Sequence, residues 1–266
     1  MVTTRKPLAP VRHPDDDLTI FYPETDGMPL PDGYYQDPLY RTIVSTVEAY
    51  LTQLHTNVAV SGNTFIYYEM NNPRRSVSPD CYVSFGVDVD AIIEQNSYLV
   101  WRVGKPPDFV LDIASQSTAR YDEAGKRDLY ARIGMGEYWR YDQTGGQFYS
   151  RPLVGERLVN GEYRELPLHQ EPDGMIWGHS PALGLDLCWD DGRLRFYDPN
   201  AGVWLRDFGE ERERADTAVA QVEEERNRAD TAVAQVEEER NRADAAEDRI
   251  RQLEGRLRQA GIDPSV

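Results

Sequence analysis

The pattern of apolar and polar positions divides the chain into stretches with different periods. Between residues 39 and 55 apolar side chains recur every three or four positions, which predicts an amphipathic helix. Its apolar stripe consists of Ile43, Val47, Leu51 and Leu54. From residue 57 to residue 104 the pattern changes to short β-branched or aromatic runs separated by Asn, Gly and Pro. These runs predict a series of strands after the first helix.

The middle of the chain continues this succession of strands and helices. Residues 109–115, FVLDIAS, form an apolar run that is continuous enough for a strand buried on both faces. Residues 119–133 predict a helix that ends at the glycines of 134–136, and EYWRYD at 137–142 predicts another strand. The segments that follow, to about residue 198, alternate around NG and DG turns and predict hairpins. This order of elements indicates a single α/β or α+β domain.

The C-terminal segment differs from the rest because it repeats itself. ERERADTAVAQVEE at 211–224 recurs as ERNRADTAVAQVEE at 225–238, so the period is 14 residues, or two heptads. A strict seven-residue repeat predicts a left-handed coiled coil over residues 204–260, with Trp204 at its first core position, through which the chain self-associates. The alternative is a solitary solvated helix, because sequences rich in Ala, Glu and Arg can be helical alone.

These patterns predict four parts in a chain of 266 residues. Residues 1–38, rich in Pro, Asp and Gly, form an irregular arm; residues 39–203 form the folded domain; residues 204–260 form the coiled coil; residues 261–266 form a tail. The folded domain has no counterpart of the apolar seam of the repeat, so we expect the two parts to fold independently.

Composition narrows the class of protein. The net charge is −17, and residues 207–266 contain 10 basic and 17 acidic side chains, so both parts of the chain are acidic. A broad phosphate-binding face is therefore not expected, and contact with nucleic acid must be local or use divalent cations. Cys81 and Cys188 lack the spacing of a disulfide framework or zinc site. Without a signal peptide or a run of ~18 apolar residues, the chain is expected to be soluble and cytoplasmic.

Asp112 interrupts the apolar run FVLDIA, where a buried strand favours an aliphatic residue. An ionised carboxylate there costs free energy unless it is paired or bound to a metal ion. Asp80 has a similar position, at the start of an earlier strand and after a proline. Two aspartates on adjacent strands can bind one hard divalent cation, which polarises a phosphodiester. Acids that flank strands are also common as turn residues or solvated groups.

Lys126 follows Asp112 by fourteen residues in a chain with only three lysines. This separation corresponds to a strand end, a turn and two helical turns, so the long side chain can reach back to the strand end. There it would orient the attacking water or neutralise charge in the transition state. Asp122, four residues before Lys126, is the alternative partner in a simple helical ion pair.

Residues 79–142 resemble the signature of the Uma-type (Uma-two) restriction endonuclease family, bacterial members of the PD-(D/E)XK nuclease superfamily. In that family a PD dipeptide opens one strand, and a later strand carries PD, three apolar residues and an acid. A helix with Lys and Tyr then leads to Gly-x-x-Glu-Tyr-Trp. The matching residues here are Pro79, Asp80, Pro107, Asp108, Asp112, Ser115, Ser117, Thr118, Lys126, Tyr130, Gly134, Glu137, Tyr138 and Trp139. The resemblance extends over about residues 30–200.

The resemblance implies a restriction-endonuclease-like α/β core, with a mixed central sheet flanked by helices and a C-terminal coiled-coil helix. It implies a metal-dependent endonuclease that hydrolyses DNA with Mg²⁺ or Mn²⁺. Asp80 and Asp112 would be catalytic metal ligands, and Glu48 a further metal ligand, although a solvent-facing helix acid explains Glu48 equally well. The family usually has Glu at position 112 and Lys at the position of Ala114, so the resemblance implies that Lys126 supplies the catalytic cation from the helix.

Four arginines are candidate contacts to the DNA backbone. Arg74 and Arg75 precede the first PD strand, and Arg120 and Arg127 flank Lys126. Arginines near turns are also commonly just solvated.

Two other functions remain open at the level of sequence. One is a catalytically impaired nuclease fold that acts as a binding or assembly module oligomerised by its coiled coil. The other is a coiled-coil adaptor with an inert head. The presence of Asp80, Asp112 and Lys126 favours the enzyme, whereas the acidic surface and the departure at Ala114 favour the impaired fold.

Overall fold

The computed structural model of the chain describes residues 13–23, 36–115 and 125–259. The chain divides into two compact units, Met1–Phe208 and Gly209–Val266. In chain order the elements are α1 Gln36–Leu54, β1 Val58–Ser61, β2 Ile66–Tyr67, β3 Ser76–Val77, β4 Cys81–Phe85, α2 Val89–Gln95, β5 Tyr98–Leu99, α3 Val100–Val103, β6 Phe109–Ile113, α4 Arg127–Ile133, β7 Glu137–Tyr141, β8 Leu153–Val159, β9 Glu162–Glu165, β10 His169–Gln170, β11 Ile176–Ser180, β12 Leu185–Asp190, β13 Arg193–Asp198, β14 Val203–Trp204 and α5 Phe208–Gln259.

A six-stranded sheet forms the centre of the first unit, with the strand order β1-β4-β6-β7-β8-β9. Strands β6 and β7 pair in parallel, and all the other neighbours in this sheet are antiparallel. A parallel pair needs a crossover connection, and α4 lies in the segment that joins β6 to β7. The predicted α/β fold with a mixed central sheet is therefore confirmed.

Side chains from the two faces of the central sheet enter separate hydrophobic clusters. On β6, Phe109, Leu111 and Ile113 pack with α1 and the second sheet. Val110 packs on the other side with residues of α2 and α4 such as Tyr130. Alternate residues of a strand point to opposite faces, so we call these the α1 face and the α4 face. Because both faces are covered, all five residues of β6 are buried, which explains its continuous apolar pattern.

A second sheet of five antiparallel strands, β10-β11-β12-β13-β14, covers the α1 face through Leu185, Leu187 and Phe196. The predicted hairpins occur at both expected turns. Asn160 and Gly161 join β8 to β9 with φ of 53° and 83°, and the Asp–Gly pair at 191–192 joins β12 to β13 in the same way. Positive φ at both central residues is the geometry that favours Asn-Gly and Asp-Gly in two-residue hairpins.

The segment 57–104 differs from its prediction as strands alone. It contains β1 to β5, but also α2, for which Asp88 is the N-cap and accepts hydrogen bonds from the backbone N–H of Asp90 and Ala91. The predicted strand YLVWRV stops after Leu99, and α3 follows at once. The N-cap aspartate was the sequence signal for α2, and it outweighed the β-branched composition of the run.

Helix α1 begins at Gln36, three residues before the predicted start. Ile43, Val47 and Leu51 are buried as expected, whereas Leu54 is 39% exposed at the last turn. The described part of the N-terminal arm, residues 13–23, lies on the small sheet β3-β2-β5, where Tyr22 packs against the strand residues Tyr67 and Leu99.

The C-terminal helix α5 begins at Phe208. Trp204, which the heptad register assigned to a core position, lies instead in β14 opposite Tyr197, so this part of the prediction is wrong. A cross-strand aromatic pair holds Trp204 in the sheet, with ring centroids 5.2 Å apart. Neither α5 nor any other helix in the described part of the chain has an apolar window long enough to cross a membrane.

Candidate active site

The register of β4 and β6 brings the two predicted aspartates to one end of the central sheet. Cys81 lies opposite Leu111 and Tyr82 lies opposite Val110, and Asp80 directly precedes β4. The backbone N–H of Ile113, the residue after Asp112, donates a hydrogen bond to Asp80 Oδ2, so the two aspartates lie near each other at this end. Tyr82 and Val110 belong to the cluster on the α4 face, and Asp112, two residues after Val110, points to the same face.

Asp112 is completely buried and is held by charged and polar partners. The Lys126 ammonium lies 3.2 Å from Asp112 Oδ1, and the Tyr138 hydroxyl donates a hydrogen bond of 3.0 Å to Oδ2. Burial, together with the charge of Asp112, raises the pKa of Tyr138 well above its ordinary value, so the phenol stays protonated and remains a donor. A charged partner and a donor are what a carboxylate needs in order to remain in such an apolar place.

Asp80 is half-buried, and the neighbouring backbone holds its position. Its Oδ2 accepts a hydrogen bond of 2.6 Å from the N–H of Ile113, which ties it to the end of β6. A Cβ atom at Gly62 would lie 1.9 Å from the carbonyl oxygen of Asp80, so only glycine allows this approach of the chains. A carboxylate has about four lone-pair positions, so the bond to Ile113 is compatible with metal ligation.

Lys126 directly precedes α4 and has helical backbone angles, with φ of −68° and ψ of −38°. The predicted start of this helix near residue 119 lies outside the described residues. The apolar side chains that hold this helix against the sheet are Leu129, Tyr130 and Ile133, all of which come after Lys126. Its side chain is 17% exposed, so the ammonium reaches the sheet from the first turn. Residues 116–124, which include the candidate DNA contact Arg120 and the alternative partner Asp122, lie outside the described residues.

The structure does not bring Glu48 to the two aspartates. Helix α1 packs its apolar residues on the α1 face, whereas Asp112 points to the α4 face, and Glu48 itself is exposed. Within residues 13–23, 36–115 and 125–259, no three or more His, Cys, Asp or Glu side chains are arranged to hold a metal ion. Metal ligation by Glu48 therefore stays a prediction that the fold does not favour, because α1 covers the face of the sheet opposite to the one that Asp112 faces.

The candidate DNA-contacting arginines have different surroundings. Arg74 and Arg75 are exposed between β2 and β3, and Arg75 lies 3.5 Å from Glu69. Arg127 is directed inward: its Nε donates to Glu156 at 2.8 Å and its Nη2 donates to the carbonyl oxygen of Tyr163 at 2.9 Å. These contacts favour a structural role for Arg127, and DNA contact by the other arginines stays a prediction.

Three residues near Asp112 were not identified from the sequence as part of the candidate site. Tyr138 is its hydrogen-bond donor, Arg140 is its neighbour in the parallel register of β6 and β7, and Glu156 accepts a hydrogen bond of 3.0 Å from Arg140. Charged residues within otherwise apolar strands, as in EYWRY and LVGERLV, were the available signal. That pattern does not distinguish an outward-facing charge from a buried ion pair.

The first unit also has a cavity of about 650 Å³, but it lies at the opposite end of the sheet. Its lining includes Phe85 at the end of β4, Asp108 just before β6, and Glu137 at the start of β7. Burial raises the pKa of Glu137, although hydrogen bonds from Ser180, Trp139 and the backbone of Ala182 oppose this effect. The lining residues of the cavity therefore do not include the paired aspartates. The assignment of the candidate site depends instead on the charge and burial of these two residues.

Two comparisons with known proteins give matches to this chain. The model of the Uma2 family, described as "Putative restriction endonuclease", matches residues 26–188. A crystal structure of a "putative nuclease belonging to DUF820" from Anabaena variabilis is 16% identical, with a TM-score of 0.40 over 60% of this chain and 81% of that one. No functionally curated protein gives a significant match. Because the family model covers more than half of the chain, the protein belongs to the Uma2 family.

Proposed function

We propose that the protein is a divalent-cation-dependent endonuclease that hydrolyses phosphodiester bonds of DNA. The observation that carries this proposal is the arrangement at the end of β4 and β6. A fully buried aspartate, Asp112, lies 3.2 Å from Lys126, and Asp80 binds the backbone N–H of the next residue, Ile113. Family membership supports the nuclease class, and DNA as the substrate is part of the proposal.

The two aspartates suit a hard cation such as Mg²⁺ or Mn²⁺. Both offer carboxylate oxygens, the donors that such ions prefer, and Asp80 is hydrogen-bonded to the residue that follows Asp112. The bond from the Ile113 N–H fixes the orientation of Asp80, and the Tyr138 hydroxyl fixes that of Asp112. When bound, the cation would polarise the scissile phosphodiester and reduce its negative charge.

Lys126 is the residue that best supplies positive charge to the transition state. Ala114, at the position where the family usually has Lys, is fully buried and packs with Tyr149 and Phe148, so a long cationic side chain has no room there. The Lys126 ammonium neutralises Asp112 from the first turn of α4. Because it is a compact charge on a flexible stem, it can also turn toward a bound phosphate.

The test measures cation binding and cleavage separately. Titration calorimetry with Mn²⁺ and Mg²⁺ would compare the wild type with Asp80→Asn and Asp112→Asn, and cleavage would be followed on supercoiled plasmid DNA. Both variants are expected to lose cation affinity by ~100-fold or more, since even residues that only support metal ligands contribute 10–100-fold. Asp108→Asn is the matched control, because Asp108 begins the same strand at its other end and pairs with Lys105.

Wild-type affinity in both aspartate variants, or an unchanged cleavage rate, would refute the proposed site. Cation binding without any cleavage would instead favour the second candidate, a catalytically impaired nuclease fold that works as an assembly module. The specific observation in favour of that candidate is α5, on which Val219, Val222, Val233 and Val236 are each more than half exposed. Such a repeated apolar seam is suited to self-association in a coiled coil.

A further inference from the structure

A buried charge network links α4 to the central sheet beside Asp112. Glu156 of β8 is 2% exposed and bridges two arginines. Its Oε1 accepts a hydrogen bond of 2.8 Å from Arg127 Nε, and its Oε2 accepts one of 3.0 Å from Arg140 Nη2. The two guanidinium groups also lie over aromatic rings, Arg127 over Tyr163 and Arg140 over Tyr138. Glu156 therefore connects the first residue of a helix to the central sheet.

The network adjoins both members of the Asp112–Lys126 pair, through Arg127 next to Lys126 and through Arg140 next to Asp112. Arg127 directly follows Lys126 in the chain, so the contact with Glu156 constrains the backbone that carries the lysine. Arg140 is the register neighbour of Asp112 on β7, and both side chains belong to the α4 face. The network thus joins α4 to β8 and to β7, the strand next to the one that carries Asp112.

The energetics of these contacts favour a geometric role. Glu156 and Arg140 are largely removed from water, which offsets much of what their attraction contributes, so their ion pair is weak evidence for stability. Helix α4, as described over Arg127–Ile133, has seven residues, and most of the stability of so short a helix comes from its tertiary contacts. The contact of Arg127 with Glu156 is one of these contacts, and it lies next to Lys126.

We propose that Glu156, with Arg127 and Arg140, positions Lys126 against Asp112. These are positioning residues: they act through Lys126 and do not contact the reacting phosphate. The catalytic consequence of the network rests on the proposed nuclease function, whereas the geometry of the Asp112–Lys126 pair does not depend on it.

The test measures the ¹⁵N NMR signals of the lysine ammonium groups in the full-length chain, without metal or DNA. The chain contains three lysines, Lys6, Lys105 and Lys126, so single Lys→Arg substitutions assign their signals. An ammonium held in an ion pair away from water exchanges its protons slowly and gives a sharp signal, whereas an exposed ammonium does not. Lys105, which pairs with Asp108 at the other end of β6, is an internal reference for the integrity of the fold.

Glu156→Gln keeps the shape of the side chain and removes its charge. We expect it to abolish the Lys126 signal and to leave the Lys105 signal unchanged, a difference that a general loss of stability would not produce. The matched control is Glu165→Gln, because Glu165 lies opposite Glu156 in the β8–β9 register but pairs with the exposed Arg151. This control is expected to retain both signals.

A Lys126 signal that persists in Glu156→Gln would overturn the proposal. If Glu156→Gln loses both signals, Arg140→Gln decides, since it removes the guanidinium that donates to Glu156 without adding a lysine ammonium to the spectrum. Loss of the Lys126 signal alone in Arg140→Gln supports the proposal, and any other result in that variant overturns it.

The activity readout separates this proposal from the proposed function. In cleavage assays with Mg²⁺, Glu156→Gln is expected to lower kcat by up to ~100-fold, the cost of a misplaced catalytic group. KM should stay within about twofold, because binding of the ground state is not affected. A wild-type chain without cleavage activity would refute the proposed function, and the NMR comparison would still decide whether Glu156 positions Lys126.

Discussion

Strand β6 has an aspartate–lysine pair at each of its ends, and the two pairs differ in burial and in origin. Asp108, just before the strand, pairs with Lys105 three residues earlier, and its Oδ1 lies 2.7 Å from the ammonium. Asp112 pairs with Lys126 across two elements at 3.2 Å. The side chain of Asp108 is 32% exposed, whereas that of Asp112 is completely buried. One pair is therefore local and partly exposed, and the other joins distant parts of the chain and is more deeply buried.

This difference separates a structural ion pair from a functional candidate. Asp108 also accepts a hydrogen bond of 2.8 Å from the N–H of Phe85, and Lys105 donates to the carbonyl oxygen of Phe85. The Asp108 pair thus closes the end of the β4–β6 ladder with local contacts. The Asp112 pair has no comparable turn to close, and its burial costs free energy. A charge retained against that cost is the better indicator of function, even though the cavity lies at the Asp108 end.

The most severe way to test this contrast is to remove each lysine. Lys126→Met is expected to lower Mg²⁺-dependent cleavage by ~10²–10³-fold, the usual effect of removing one group that stabilises transition-state charge. Metal binding should persist, because both aspartates remain. Lys105→Met should cleave at nearly the wild-type rate. Single-turnover plasmid cleavage and titration calorimetry would check this, and equal losses in the two variants would contradict it.

The backbone behind each aspartate offers a second comparison. A Cβ at Gly62 would lie 1.9 Å from the carbonyl oxygen of Asp80, and a Cβ at Gly136 would lie 2.6 Å from that of Asp108. Since backbone must move in both cases, Gly62→Ala and Gly136→Ala should each lower the free energy of unfolding by ~1–3 kcal/mol. Only Gly62→Ala should also weaken Mn²⁺ binding, by about tenfold or more. Urea unfolding and calorimetry measure the two effects, and equal Mn²⁺ affinities would show that Asp80 is not a ligand.

The buried Glu137, at the Asp108 end, predicts a pH dependence of stability. Burial raises the pKa of this carboxyl above its ordinary 4.5, so folding disfavours the ionised form. The contribution of Glu137 to the free energy of unfolding should fall as pH rises from the ordinary pKa to the raised one, and stay constant above it. Each pKa unit corresponds to about 1.4 kcal/mol.

Glu137→Gln should therefore be more stable than the wild type above the raised pKa, and the difference should shrink at acid pH. Urea unfolding of both proteins across this pH range checks the sign. A variant that is less stable at neutral pH would show that the hydrogen bonds from Ser180 and Ala182 outweigh the burial of charge.

The smallest effect on the first unit is expected from removing the second unit. Deleting residues 209–266 should leave the melting temperature and the Mn²⁺ affinity of the first unit unchanged, because residues 1–208 form a compact unit of their own. The mass per assembly should fall by more than the deleted length if the exposed valines associate. Light scattering of both forms measures this, and an unchanged number of chains per particle would contradict self-association.

Several features of the fold could be predicted from the sequence because they depend on residues close together in the chain. The turns at Asn160–Gly161 and Asp191–Gly192 require positive φ, which these residue pairs permit. The unbroken apolar run of β6 required burial on both faces, and a carboxylate within it required a partner. The family was recognisable for the same reason, since its motif lies within residues 79–142.

Other features were decided only by contacts between distant elements. The sequence determined that Asp112 must be compensated and that Lys126 was within reach. It did not determine that Glu48 lies on a helix covering the opposite face, or that Arg127 turns inward to Glu156. Periodicity tells which side of an element is apolar, but not which face of the sheet that side covers. Burial and ion pairing follow from that packing, so the tertiary structure alone decided which charges meet at Asp112.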